Sequence, residues 1–223
     1  MHYKYLIIFV AFLSFISCKK DSPENNLPVI NGNVGLNIIS NYRKPSSTAR
    51  FEPNYIFTEA SIAIDQISFL KKETTSSKAH FEGPFICDLV NNTTEPQLPY
   101  GNIEEGNYQL FQLDILKELE NNFAIDIKGN YHPNGVLIHP FHYSVSLEET
   151  VSIMETNGVN IVEDSLHQVA IVVDLAFIFD GIDFENVHYE EDGFLDFNAE
   201  KNQEHHLGIT ERFLEGFRVY QTK

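Results

Sequence analysis

From residue 33 onward the apolar residues recur mainly at every second position, and this alternation limits the possible fold more than any other feature. Phe123, Ile125 and Ile127 alternate with small or polar residues, which predicts a strand with one buried face. Val169 to Ile178 is apolar in both phases apart from Asp174, which predicts a central buried strand. Turn signals rich in Gly and Asn separate these runs. The chain is therefore expected to be mainly β, with the strands forming an antiparallel β-sandwich.

One strand is expected to contain a β-bulge. Ile62 and Ile64 lie in one phase of the alternation, whereas Ile67 and Phe69 lie in the other. An extra residue near Asp65-Gln66 would turn both pairs towards the same face. We therefore predict one continuous strand that passes through a bulge at this point.

A single helix is predicted near the C-terminus. Asn198 or Asn202 can cap its N-terminal end, and an apolar stripe that includes Leu207 and Phe213 follows. Gly216 suits a left-handed stop at the other end. This helix is expected to pack on one face or one end of the sandwich.

The chain is strongly acidic. Its formal net charge is −17, from 32 Asp and Glu residues against 15 Lys and Arg residues. Such a chain repels phosphate backbones, which argues against nucleic-acid binding. The sequence contains no Trp, so a favoured stacking residue for sugars is missing, although its 10 Tyr residues can substitute.

The first 17 residues predict a secretory signal peptide. Lys4 supplies a positive charge, and Leu6 to Ile16 form an apolar run broken only by Ser14. This run is too short to span about 30 Å of hydrocarbon as a helix. The polar stretch that follows predicts a flexible tether. The expected organisation is a signal peptide at 1–17, a lipidated cysteine and tether at 18–32, and a single β-sandwich domain at 33–223.

The end of this leader resembles a lipobox. Phe15-Ile16-Ser17-Cys18 places apolar residues and a small residue before a cysteine, whose thiol would accept diacylglycerol. Ser17-Cys18-Lys19-Lys20-Asp21 is similar to the leaders of Bacteroidetes-type lipoproteins. The resemblance implies a lipid anchor on Cys18 that includes palmitate and makes the outer membrane the first partner. It implies display on the cell surface, with a periplasm-facing position as the alternative.

The body of the chain also carries a resemblance. Gly106-Asn107-Tyr108, which opens an apolar run, is similar to the Gly-x-Tyr corner of uncharacterised β-sandwich lipoproteins. In that corner the Tyr hydroxyl binds nearby backbone. The order of the runs is also similar to the copper-associated periplasmic family called MbnP-like. Because this chain has no Trp and only two Met residues, no copper ligand is assigned to it.

Two segments of the C-terminal third contain candidate metal ligands. The acidic run around Asp180, Asp183 and Glu185 includes glycines, and carboxylate oxygens in such a loop suit a hard divalent cation. His205 and His206 are adjacent on the predicted helix, where their side chains diverge by about 100°. Each would therefore need ligands from elsewhere. The simpler interpretation of both segments is a set of solvated polar residues.

Four further residues have polar groups with a candidate role. His139 lies in the register of an apolar strand face, and His167 lies just before the central strand. Asp174 interrupts that strand, and a buried carboxylate needs a partner. It either marks a ligand site with one of these histidines or makes a structural hydrogen bond to loop backbone. Asp164-Ser165-Leu166 matches a short pattern for extracytoplasmic O-glycosylation, so Ser165 is a candidate acceptor, with an unmodified turn as the alternative.

The sequence favours a function without catalysis. It contains no Gly-x-Ser-x-Gly, His-Glu-x-x-His or Cys-x-x-Cys motif. We therefore expect a lipid-anchored extracytoplasmic protein, without a cofactor, that binds an unidentified protein or glycan. The alternative is an extracytoplasmic metal-binding protein that holds a divalent ion with His, Asp and Glu of the C-terminal third. A glycan-active enzyme or accessory domain is a third hypothesis.

Replacement of Cys18 tests the predicted anchor. The Cys18→Ala variant should incorporate no radiolabelled palmitate and should leave the membrane fraction, because no thiol is left to carry acyl chains. Protease added to intact cells should degrade the wild-type protein if it is displayed on the surface. A Cys87→Ala variant provides the control and should be labelled and retained like the wild type. Equal labelling of the Cys18→Ala variant would contradict the prediction.

Overall fold

The computed structural model describes residues 32–43, 54–71, 74–132, 138–183 and 186–222, and the chain within these ranges is mainly β. The strands are β1 (Val34–Ser40), β2 (Tyr55–Lys71), β3 (Thr74–Asp88), β4 (Thr93–Glu95), β5 (Tyr100–Gly101), β6 (Gly106–Ile115), β7 (Ile125–Tyr131), β8 (His139–Val145), β9 (Glu149–Ile161), β10 (His167–Val173), β11 (Leu195–Phe197) and β12 (Phe217–Thr222). The helices are α1 (Leu175–Phe179) and α2 (Gln203–Glu215), and a 3₁₀ turn spans Glu120–Asn122.

The strands form two sheets, which confirms the predicted β-sandwich. The smaller sheet has the order β12-β10-β1-β5, and the larger has the order β11-β8-β7-β2-β3-β4. Strand β6 joins the larger sheet beside β2 and is paired on its other side with β9. Most pairs are antiparallel, but β1 with β10 and β8 with β11 are parallel. Alternation alone does not distinguish the two directions, so these parallel pairs were not predicted.

The long strand β2 confirms the predicted bulge. Its pairing with both β3 and β6 shifts register between Ile64 and Gln66. The shift brings Ile62, Ile64, Ile67 and Phe69 into the core, where none of them exposes any surface. The first half of β2 pairs with β7 and the second half with β6, so the bulge lies where the sheet changes neighbours.

Aromatic rings fill one part of the core. The ring centroids of Phe57 and Phe179 lie 5.5 Å apart, and those of Phe141 and Phe179 lie 5.1 Å apart. All three side chains are at most 2% exposed. Because Phe179 lies on α1, this short helix contributes directly to the packing between the sheets.

The predicted central strand is shorter than expected. It was predicted to continue to Ile178, but β10 ends at Val173 and α1 begins at Leu175. The Asp174 carboxylate accepts a hydrogen bond from the Phe177 backbone N–H at 3.0 Å, as an N-cap does. One helical turn then buries Leu175, Ile178 and Phe179 together. Asp174 therefore marks the point at which the apolar run changes from strand to helix.

The C-terminal helix is confirmed, but both of its predicted ends differ in detail. Asn202 has a left-handed backbone with φ of 49° and makes no side-chain cap. Its amide instead accepts a hydrogen bond from His188 N at 2.8 Å and donates to the Asp196 carbonyl at 2.9 Å. Gly216 has φ of −77°, so it is no left-handed stop, and the chain continues directly into β12. Neither helix in the described ranges has the length and apolar character needed to cross a membrane.

The corner before β6 is also confirmed. The Tyr108 side chain is 1% exposed, and its hydroxyl donates to the Glu104 carbonyl at 2.9 Å. This hydrogen bond fixes the turn that leads from β5 into β6.

The Tyr108 hydroxyl should stabilise the fold measurably. The Tyr108→Phe variant keeps the ring and loses the hydrogen bond, so its free energy of unfolding should fall by about 1 kcal/mol in urea titrations. The matched variant Tyr220→Phe changes a side chain that is 54% exposed and should stay within about 0.5 kcal/mol of the wild type. An unchanged free energy for Tyr108→Phe would mean that the corner bond is not stabilising.

Candidate binding site

The predicted metal ligands that the structure describes do not come together. Asp180 follows the end of α1, and Asp183 accepts a hydrogen bond from the Asn186 side chain at 2.6 Å. The His205 ring lies 6.4 Å from that of Phe197. Glu185 and the lipidation site Cys18 lie outside the described residues. Within the described ranges, no group of three or more His, Cys, Asp or Glu side chains is placed to hold a metal ion.

His206 belongs to the core instead. It was expected to be solvated, but it is 6% exposed, and its Nε2 donates to the Ser144 carbonyl at 3.2 Å. Its ring lies 5.5 Å from that of Tyr143. Burial lowers the pKa of the His206 imidazole, and the hydrogen bond to Ser144 opposes this only in part. The neutral imidazole therefore ties α2 to β8.

The polar candidates His139, His167 and Asp174 lie apart. His139 packs against Tyr189 with ring centroids 4.9 Å apart. His167 and Asp174 lie at opposite ends of β10, whose seven residues span about 20 Å at a rise of ~3.3 Å each. Of the two roles expected for Asp174, a ligand site or a structural hydrogen bond to backbone, the structure shows the hydrogen bond. The three side chains do not share a site.

His167 holds a loop in place. It is 9% exposed, and its Nε2 lies 3.2 Å from the Val162 carbonyl while its Nδ1 lies 3.0 Å from the Gln221 amide nitrogen. These contacts join the loop before β10 to β12. Ser165 lies in that loop and is exposed, so a modifying enzyme can reach its hydroxyl.

The outer face of the larger sheet carries polar contacts between strands that sequence reasoning missed. Asp126 Oδ1 lies 2.6 Å from His142 Nε2, and Lys128 Nζ lies 2.6 Å from Glu59 Oε2. Alternation correctly predicts that Asp126 and Lys128 face outward. Their partners lie on β8 and β2, which neighbour β7 in the sheet but are distant from it in the sequence. Because these contacts link neighbouring strands, they contribute to holding the sheet together.

The surface has three recesses of interest, and two of them contain charged residues. The first cleft, of about 1100 Å³, is lined by Gly32, Asn33, Lys71, 102–105 and 163–166. The α1 cleft, of about 600 Å³, is lined by 41–43, Asn54, Tyr55, Phe57, Asp174, Ala176, Phe177 and Asp180. Each cleft is lined in part by residues next to a stretch of the chain that lies outside the described ranges.

The third recess, which we call the amide slot, has a volume of about 350 Å³ and is lined by eleven residues of the described ranges. Its floor is buried and consists of Gly35, Leu36, Ile38 and Leu98. Its rim is at least partly exposed and consists of Asn37, Asn92–Thr94, Gln97, Tyr100 and Gln168. None of these eleven residues carries a formal charge.

The slot exists because β1 is incompletely covered. Strand β10 pairs with β1 from Val34 to Ser40, whereas β5 pairs with it on the other side only at Val34 and Gly35. At the far end the Asn92 side chain accepts a hydrogen bond from Ser40 N at 2.6 Å. Between these two closures, residues 36–39 have no partner strand on this side among the residues that the structure describes.

Gly35 shapes the floor of the slot. A Cβ atom at this position would lie 2.6 Å from Gln168 Oε1 and 2.8 Å from Tyr100 Cε1. A larger residue here would displace the ends of the Tyr100 and Gln168 side chains, so glycine lets both lie close over the strand at this point. The Tyr100 side chain is 38% exposed, so part of its ring faces solvent.

The rim retains hydrogen-bonding capacity. Within the described ranges, the side chains of Asn37, Thr93 and Gln97 make no hydrogen bond to the protein. Amide and hydroxyl groups both donate and accept hydrogen bonds, so the rim can bind the donors and the acceptors of a ligand. The slot can accordingly hold a small, uncharged polar molecule. Its residues come from separate segments of the chain, which is why no local pattern pointed to it.

Comparisons with models of protein families, with curated proteins and with solved structures find no match to the chain.

The buried histidine should make stability depend on pH. Because the pKa of His206 is lowered in the folded state, the unfolded chain binds the proton more readily. The contribution of the His206 side chain to the free energy of unfolding is therefore complete above about pH 6.5 and is lost as the pH falls below that value. Urea titrations between pH 7 and pH 5 should show a smaller loss of stability for His206→Gln than for the wild type. His188→Gln alters an exposed histidine, so its stability should depend on pH as that of the wild type does. If His206→Gln and the wild type lost the same stability between pH 7 and pH 5, the lowered pKa of His206 would not be the cause.

Proposed function

We propose that this chain is a lipid-anchored extracytoplasmic binding protein that acts without catalysis and takes its ligand in the amide slot. The proposal combines two independent lines of support. The lipobox-like leader supports an anchor on Cys18 at the outer membrane, with the folded domain on the cell surface. The slot supports ligand binding by that domain.

The single observation that carries the binding function is the uncharged, partly unpartnered rim of the slot. In a chain with 47 charged residues, a recess lined by eleven uncharged residues is a distinct chemical environment. Its volume of about 350 Å³ lies in the range of about 300–1,000 Å³ that is usual for small-molecule sites. The hydrogen bond of Asn92 to Ser40 and the pairing of Gly35 with β5 hold the two ends of the slot.

The placement of the reactive side chains supports a role without catalysis. His206, His167 and Asp174 each bind backbone groups, and His142 pairs with Asp126. Such contacts use these side chains to hold strands, loops and helices together. No observation on the described residues favours the metal-binding alternative over ligand binding in the slot.

A variant that fills the slot tests the proposed function. The mature protein in detergent is screened against a library of small uncharged polar compounds by thermal denaturation. Compounds that bind should raise the Tm of the wild type, because a ligand stabilises the state that binds it. Asn37→Arg, which places a long charged side chain on the rim, should abolish the shift.

The control is Asn157→Arg, which alters an exposed side chain on β9, away from the slot. It should respond to each compound like the wild type. A set of compounds that stabilises Asn37→Arg as strongly as the wild type would show that the slot is not the binding site.

A further inference from the structure

We propose that the ligand of the amide slot is a neutral saccharide, bound through one or two sugar units at the end of a glycan. This inference rests on the proposed function, because it assumes that the slot is the binding site. It goes further by naming the chemical class of the ligand and the residues that recognise it.

The hydrogen-bonding groups of the rim match sugar hydroxyls. Asn37 and Gln97 each offer an amide NH₂ and a carbonyl oxygen, and Thr93 offers a hydroxyl. Asn92 is held in one orientation, because its Oδ1 already accepts from Ser40 N, which leaves its NH₂ group as a fixed donor. A sugar hydroxyl donates and accepts at the same time, so neighbouring hydroxyls can pair with neighbouring amides. A ligand that has only hydrogen-bond acceptors would leave the carbonyl oxygens of the amides unpaired.

The charge of the site excludes ionised ligands. An anionic ligand would meet no Lys, Arg or His among the described residues that line the slot, and a protein with a net charge of −17 would repel it. A cationic ligand would find no carboxylate among these same residues. Because the floor is buried, an unpaired charge there would be costly. The ligand is therefore uncharged, which excludes phosphorylated and uronic sugars.

Tyr100 and the floor supply the apolar half of the recognition. The Tyr100 ring is 38% exposed and is held by the pairing of β5 with Gly35. The buried residues Leu36 and Leu98 form part of the floor. A sugar ring has C–H groups as well as hydroxyls. Its C–H groups can therefore lie against a flat aromatic ring while its hydroxyls form hydrogen bonds with the amides of the slot rim. Small, purely polar molecules would leave the ring unused.

The closed ends of the slot argue against a peptide. Residues 36–39 would pair with at most about 13 Å of an added strand, at ~3.3 Å per residue. A longer peptide strand would meet β5 at one end and the Asn92 side chain at the other. Strand addition requires an edge along which the peptide can continue. A compact unit that ends in the slot satisfies this geometry, as a terminal sugar does.

A glycan array with the mature, lipidated protein in detergent tests the inference, followed by calorimetry with the saccharides that bind. Neutral saccharides should bind, and their charged derivatives should not. Asn37→Ala and Tyr100→Ala should each weaken binding by about tenfold or more, equivalent to ~1.4 kcal/mol. Tyr100→Phe, which keeps the ring, should stay within about threefold of the wild type.

The controls alter exposed residues outside the slot. Asn157→Ala and Leu207→Ala should bind with wild-type affinity, and an unchanged Tm for all the variants shows that each is folded. If no neutral saccharide binds while uncharged compounds of another class still bind in the slot, the inference is wrong and the proposed function stands. If saccharides bind but Asn37→Ala and Tyr100→Ala bind them like the wild type, the assignment of the slot is also wrong.

Discussion

The bulge in β2 is the constraint on which the larger sheet depends. A strand alternates its side chains between two faces, so a slip of one residue exchanges the buried and exposed sets. The sequence of β2 contains such a slip between Ile64 and Ile67. Ile64 and Gln66 pair with the adjacent β6 residues Ile115 and Asp114, so Asp65 is the extra residue that compensates for the slip. Without the bulge, Ile67 and Phe69 would face solvent. The same strand pairs with β3, β6 and β7, so all three neighbours take their register from it.

The smaller sheet shows the opposite property at β1. This strand is fully paired on one side, but the two-residue strand β5 covers only its beginning on the other. The slot follows from this mismatch in strand length and from the loop that crosses beside it. The substitution of Gly35 by any larger residue would push Tyr100 and Gln168 apart. The site therefore depends on the backbone of one strand as much as on the side chains around it.

Local patterns predicted the parts of the fold that local interactions determine. The bulge, the Tyr108 corner and the presence of α2 could each be inferred from residues close together in the sequence. The short helix α1 could not, because an apolar run of this kind fits both a buried strand and a buried helix. The capping hydrogen bond from Phe177 to Asp174 favours the helix, and its geometry is visible only in the structure.

The role of His206 and the position of the amide slot were harder to predict, for two different physical reasons. On α2, the predicted apolar stripe included Leu207, which is 55% exposed, whereas the buried stripe runs through His206, Ile209 and Phe213. The spacing of three and four residues among these was present in the sequence, but a histidine was not counted as a core residue. The amide slot had no such signal, because β1, β5, β10 and the loop around Asn92 meet only through long-range pairing.

A crystal structure of the protein grown with a neutral saccharide would show whether the amide slot binds a sugar. Density for a sugar ring is expected against Tyr100, with hydroxyls within about 3 Å of the side chains of Asn37 and Gln97. Gly35 and Asn92 should keep their positions when the slot is filled. A sugar bound elsewhere on the molecule, or a slot closed by the side chains of its own rim, would refute saccharide binding in the slot.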